Sequence, residues 1–512
     1  MLNRILRSSI SQVLFTLVSI SISFFLTPFL IRGTGDHSYG LWVLINTVTS
    51  YLGLSDAGMA AALQNHLAIA LGKGNQREYQ HIFSSGLVVY LVLSLLLVGF
   101  LALTILVLWI TGYISVRYQV LLWGGLLCGG NVIVSFLVSP YASVLVSQLH
   151  MDSTAWIAIV QSVATALLMV LCVKLGAGVP GLAVATLIGG LLAAAVTWKV
   201  AHQLVPGLRF EHSAVSGERV RSILRYSGKK LLAQMADILR FRVDELVTGL
   251  CISVSQVTHY SVALRLATLP NDLQGRVMSI LNPVFARYIG RDDPDALRRR
   301  YWLSLKVSMV LATCAFAGLV LLGKSFIRLW VGPHYQDAYV PLVLLSGALW
   351  LGLCQTPSVN LFYATNTHQR FAYLSLGEGV ANLMLSLLFV IHFKLGIAGV
   401  ALGTLVPMVV TKLLIQPSLA LRLVGIPTSR FYLLMAKTVL PIAVSCLLIG
   451  AAARPWQGHV LVEITVVSGL LCLACVGNVL AVLTPSERKR VYAETLKRSP
   501  ASLRAMLVFN MM

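Results

Sequence analysis

Runs of about 20 apolar residues recur along almost the whole of this 512-residue chain. They lie near 9–31, 39–62, 83–110, 118–146, 154–174, 178–200, 229–251, 258–285, 303–323, 339–364, 371–392, 395–419, 432–452 and 459–483. Each is long enough, as a helix rising about 1.5 Å per residue, to cross a hydrocarbon layer roughly 30 Å thick. Inside lipid a backbone must satisfy its own hydrogen bonds, so consecutive runs of this kind fold as helices. The pattern therefore predicts an all-α polytopic membrane protein with about 14 transmembrane helices. Only 11% of residues are charged and the mean hydropathy is +0.83, whereas a soluble domain is about 25% charged.

The excess of 39 Lys and Arg over 18 Asp and Glu does not call for nucleic acid, because loops on the cytoplasmic side of a membrane collect basic residues. With the N-terminus placed inside, about 27 basic residues fall in inner loops and about 7 in outer ones, so both termini are expected in the cytoplasm. Five are left within spans: Arg240, Arg242, Arg265, Arg276 and Lys412. No loop is long enough for a soluble catalytic domain. The N-terminal run from Ile10 to Ile31 is too long for a signal peptide and lacks a small-residue cleavage site, so it reads as an uncleaved first span.

The chain also repeats itself. KLGAGVPGLAVATL at 174–187 matches KLGIAGVALGTL at 394–405, and SPYASVLVSQLH at 139–150 matches TPSVNLFYATNTH at 356–368. Thr186 and Thr404, like His150 and His368, are 218 residues apart, and Asn65 and Asn282 are 217 apart. An offset covering six spans keeps both copies in one orientation, which predicts two parallel six-helix repeats with a site between them. The expected divisions are a first lobe over 1–205, a basic linker over 206–228, a second lobe over 229–422, two extra helices over 423–485 and a basic tail over 486–512.

Most buried charge is concentrated at the start of the second copy. The seventh run carries Asp237, Arg240, Arg242, Asp244 and Glu245; the eighth carries Arg265, Asp272 and Arg276, which share one helical face at seven- and four-residue spacing. An ionisable group at bilayer depth costs about 2.5–3.5 kcal/mol on insertion scales, so it normally faces a partner or a cavity. One reading pairs acids and arginines at i, i+3 and i+4 for mutual neutralisation. The other has the acids orient arginines that bind an anionic group, for which the planar guanidinium fork suits phosphate oxygens. In the eighth run one acid cannot neutralise two bases. Glu378 and Lys412 are secondary candidates, for which snorkelling to the nearby cytoplasmic boundary is the competing explanation. Asp56 and Arg32 complete the set. The first half is otherwise poor in buried acids, which favours an anionic cargo over a cationic one.

Two motif matches carry no chemistry. GLVLLGKS at 318–325 fits a phosphate-loop pattern, but its variable residues are the apolar end of a span and not a flexible loop. Cys472 and Cys475 form a CxxC within LLCLACVGNVL, with no other ligand type nearby, so no metal site is expected.

FFLTPFLIRGTGDHSYGLWVLINTVTSYLGLSDAG at 24–58 resembles the opening of the polysaccharide transporter family, through Pro28, Arg32, Gly33, Gly35, Tyr39, Gly40, Trp42, Asp56 and Gly58. Asp244 and the stretch 260–265 are similar to that family as well. The resemblance implies a superfamily shared with multidrug and toxin extruders and the lipid II flippase, and a V-shaped pair of six-helix lobes. It also implies a cargo: an undecaprenyl-pyrophosphate-type lipid-linked oligosaccharide, flipped across the bacterial inner membrane by alternating access for O-antigen, capsule or exopolysaccharide. No cofactor is expected, H+ or Na+ is left open as a coupling ion, and polysaccharide polymerase and glycosyltransferases are the expected neighbours. The alternatives are a cation-coupled small-molecule exporter of the same superfamily and a membrane glycosyltransferase or polymerase.

Overall fold

The computed structural model describes residues 2–56, 58–110, 119–211, 213, 215–225, 242–278, 281–453, 455 and 460–489. Among them no strand is present. The helices are α1 (Leu2–Thr34), α2 (Asp36–Leu52), α3 (Met59–Gly72), α4 (Gln76–Ile110), α5 (Gln119–Ser147), α6 (Met151–Lys174) and α7 (Gly178–Leu204). A short α8 over 217–225 is followed by α9 (Val243–Cys251), α10 (Val254–Met278), α11 (Leu281–Gly290), α12 (Pro294–Trp330), α13 (Tyr339–Cys354) and α14 (Thr356–Ala364). The last are α15 (His368–Leu387), α16 (Gly396–Val409), α17 (Gln416–Leu423), α18 (Thr428–Ala452) and α19 (Val460–Val482). Eleven described helices are long and apolar enough to cross a membrane, which makes this a multi-pass all-α membrane protein. The run at 39–62 is divided instead: α2 gives way to a 3₁₀ turn, Gly53–Asp56, and Gly58 at φ 77° starts α3. Most of the run at 229–251 lies outside the described residues.

Left-handed turn residues recur at the interval seen in the sequence. Gly74 and Asp292, Gly176 and Lys394, and Gly178 and Gly396 are each 218 residues apart, with φ between 52° and 71°. A positive φ just past a helix end lets free backbone N–H groups reach the last carbonyls. Asp292 and Lys394 hold that conformation without glycine's freedom, at a cost of about 1–2 kcal/mol each. Asp292 is followed by a capped helix start, because Asp293 accepts from the Ala296 N–H at 2.9 Å and Pro294 opens α12.

The chain forms two compact units. The first comprises Met1–Ser261 with Ser375–Val400, so α9, the first turns of α10 and most of α15 pack with the N-terminal helices. Its core centres on Leu63, Leu67, Phe83, Tyr90, Val144 and Leu145. The second comprises Val262–Leu374 with Ala401–Met512, around Phe285, Tyr301, Leu305, Leu361 and Phe431. Within it α19 runs antiparallel along α12. Ser325 donates to Glu463 at 2.9 Å near one end of this seam, and the Lys306 ammonium meets both Glu487 oxygens at 2.9 and 3.0 Å at the other.

Candidate functional site: buried acids at the joint of α2 with α9 and α10

In the first unit, the start of α2 lies against the joint between α9 and α10. A Cβ on Gly40 would fall 2.0 Å from the Val254 carbonyl oxygen, so only glycine permits this approach. The Thr258 hydroxyl donates to the Asp36 carbonyl at 2.6 Å, and His259 Nε2 is 3.7 Å from Asp36 Oδ2. Tyr39 and Trp42 on either side of Gly40 are buried. The Tyr-Gly-x-Trp segment thus has a packing reason for its glycine. The approach also brings Thr47, further along α2, to Glu245, to whose carboxylate its hydroxyl donates.

Asp244 and Glu245, in the first turn of α9, are 2% and 4% exposed. The Asp244 carboxylate accepts from the Tyr260 hydroxyl at 2.6 Å and from the Asn382 amide at 2.9 Å. Ser386 continues the chain, donating to Asn382 Oδ1 at 3.0 Å, which turns the Asn382 amide toward Asp244. Tyr260 and Asn382 come from α10 and α15. Arg242 caps α9 with its side chain 48% exposed, and its nearest approach to Glu245 is a loose 3.9 Å. The i, i+3 pair expected from the sequence is present, and uncharged Thr, Tyr and Asn side chains also donate to these acids at shorter distances.

The other candidates are placed apart. Asp237 and Arg240 lie outside the described residues, as does the side chain of Arg276. Arg265 and Asp272 are both exposed on α10, and among the described residues no acid pairs with Arg265. Arg32 is exposed at the end of α1. Asp56, in the 3₁₀ turn, accepts from the hydroxyl of Tyr90, itself 1% exposed. Glu378 and Lys412 are 1% and 3% exposed, so neither snorkels to the boundary. Lys412, in the second unit, stands in a π-helical turn, Val410–Ile415, donates to Gln416 Oε1 at 2.9 Å and lies 5.3 Å from the centre of the Phe371 ring. Gln416 in turn donates to the Gln355 carbonyl at 3.4 Å, and the Gln355 side-chain amide to the Lys412 carbonyl at 3.3 Å. This side-chain network satisfies polar groups that the widened helix would otherwise strand.

Sequence reasoning missed Thr47, Asn382 and Ser386, because single uncharged polar residues are common in membrane helices. The available signal was the polar series Glu378, Asn382 and Ser386 at four-residue spacing in the run 371–392.

Residues 34–340, more than half of the chain, match the family described as polysaccharide biosynthesis protein. The chain is 21% identical over 415 residues to the uncharacterized membrane protein EpsK of Bacillus subtilis, covering 80% of this chain and 81% of that one. It is also 21% identical over 399 residues to the probable low-salt glycan biosynthesis flippase Agl15 of Haloferax volcanii, covering 78% and 80% respectively. In fold it is similar to the lipid II flippase MurJ in an inward closed conformation, with a TM-score of 0.68 and 14% identity over 91% of this chain and 97% of that one. The helical membrane fold and the match across its first two thirds agree with the Tyr-Gly-x-Trp and Asp-x-Gly segments: the chain belongs to the polysaccharide biosynthesis protein family and is a multi-pass membrane protein.

Proposed function

We propose that this protein is a flippase that moves an oligosaccharide, linked through pyrophosphate to a polyprenyl lipid, from the cytoplasmic to the outer leaflet of the bacterial inner membrane by alternating access. Both termini then lie in the cytoplasm, and the product feeds O-antigen, capsule or exopolysaccharide assembly beside a polymerase and glycosyltransferases. One observation carries the reading. In this charged stretch the acids are buried and held by Thr47, Tyr260 and Asn382, while the arginine heads of Arg242 and Arg265 are exposed. Arg242 approaches Glu245 only at 3.9 Å, which leaves its guanidinium donors for another partner. Exposed guanidinium forks suit a pyrophosphate, and the same stretch of sequence also carries Arg240 and Arg276. The flippases among the similar proteins support the class of cargo.

The buried pair Asp244 and Glu245 favours a second reading, a cation-coupled exporter in which H+ or Na+ acts at these carboxylates. The two separate in complementation of a strain lacking its own flippase, with surface polysaccharide measured at matched expression. Arg242→Ala and Arg265→Ala each lower the export rate roughly 10–100-fold, the range of a charge-assisted hydrogen bond worth about 1.5–3 kcal/mol, with partial recovery in the Lys variants. Full restoration by both Ala variants, together with loss in Asp244→Asn, would move the assignment to the exporter.

A further inference from the structure

The segment after α7 is strapped to the first unit by contacts with α4. The Gln80 side chain donates to the carbonyls of Gly207 and Arg209 at 3.3 and 3.1 Å, and the Glu211 N–H donates to Ser84 Oγ at 3.2 Å. Leu208 and Ile223 are 3% and 2% exposed in the core of this unit. On α8, Arg219 turns inward, its Nε and Nη2 meeting the two Glu78 oxygens at 3.2 and 3.1 Å. Beneath α8 is a cavity of about 420 Å3 in which Glu78 and Glu218 accompany Arg219, a balance unsuited to an anion.

The outer side has the opposite character. Arg221 and Arg225, one turn apart, project roughly opposite to Arg219 and Ile223 and are exposed, as is Arg209. Leu224 on the same helix is 49% exposed, and Phe210, next to Arg209 in sequence, is 47% exposed. Trp198, 52% exposed near the end of α7, marks the depth at which an aromatic ring sits between hydrocarbon and water. The strap begins about two turns beyond it, at the headgroup level. The same end of the unit exposes Lys73, Arg77 and Lys199, and only Glu211 and Glu218 are exposed acids among the described residues of 199–225.

From this arrangement we propose that the outer face of the strap, Arg209, Arg221 and Arg225 with Phe210 and Leu224, docks onto anionic phospholipid of the adjoining leaflet, which we read as cytoplasmic. The arginines meet headgroup phosphates while the two apolar side chains enter the interface. Because Arg219 is committed to Glu78, it holds the strap in place and is not part of the lipid contact. Each basic residue near such a surface contributes about a five-fold preference for anionic over zwitterionic lipid.

The test uses the purified full-length protein in mixed micelles carrying phosphatidylglycerol or phosphatidylcholine, read by thermal unfolding and by lipid adducts in native mass spectrometry. Phosphatidylglycerol stabilises the wild type and is retained in preference to phosphatidylcholine. In the combined Arg209→Gln, Arg221→Gln and Arg225→Gln variant that preference falls by roughly two orders of magnitude, and Lys at the same three positions keeps most of it. Arg221→Gln and Arg225→Gln measured singly give the same direction should the triple variant not purify. Equal response of the wild type to both lipids, or an undiminished preference in the Gln variants, overturns the proposal; inert lipid with capture of a soluble acidic partner does so as well.

Discussion

Removing the Asp244 carboxylate is the most direct probe of the joint between α2, α9 and α10. The group is 2% exposed and accepts from Tyr260 at 2.6 Å and Asn382 at 2.9 Å. Asp244→Ala leaves two buried donors without this acceptor, at about 1–3 kcal/mol each, so the expected loss is roughly 2–6 kcal/mol. Asp244→Asn keeps one acceptor oxygen and turns an NH2 toward the other donor, so it should lose about half as much. Tyr260→Phe in the wild type removes a hydrogen bond to a charged group, worth about 1.5–3 kcal/mol, but in the Asp244→Ala background that bond is already gone. The double-mutant cycle should therefore show a coupling of roughly 1–3 kcal/mol. Unfolding by denaturant titration in detergent micelles, with monodispersity checked for each variant, supplies the four values. Additive single and double variants, or an Asp244→Ala loss below about 0.5 kcal/mol, would refute the description of this site as one hydrogen-bonded unit.

Gly40→Ala should destabilise by about 1–3 kcal/mol or more, since its Cβ at 2.0 Å from the Val254 carbonyl oxygen forces α2 back by over an ångström; thermal unfolding indistinguishable from wild type would contradict that packing. At the basic end of the second unit, burial works to raise the Glu487 pKa but is outweighed by hydrogen bonds from Thr484 and Lys306, and the pKa ends below the usual 4.5. A lowered folded-state pKa makes this contribution complete above pH about 4.5 and lost as pH falls through the folded value, so a wild-type advantage over Glu487→Gln of up to about 1 kcal/mol should vanish in acid. An advantage that grows in acid instead would show that the carboxylate is not held in its charged form.

The spans, their basic loops and the 218-residue interval were legible in the sequence, because length, hydropathy and turn residues are local properties that a membrane reads directly. The left-handed positions at Asp292 and Lys394 show the interval surviving where the glycine has been replaced. Tyr-Gly-x-Trp and Asp-x-Gly were visible as patterns without their reasons. Gly40 makes room for the Val254 carbonyl, and Gly58 breaks a run that hydropathy alone reads as one span. The charges of α9 and α10 were also visible, but helical spacing reports only neighbours on the same helix. It offered Arg240 and Arg242 as partners for the acids. Tertiary structure kept Arg242 near Glu245 at 3.9 Å and added what spacing could not show, bringing Thr47 from 198 residues away to Glu245 and Asn382 from 138 residues away to Asp244. A buried carboxylate must be hydrogen-bonded wherever it sits, and the donors that satisfy it are chosen by which helices pack around it, which no local pattern encodes.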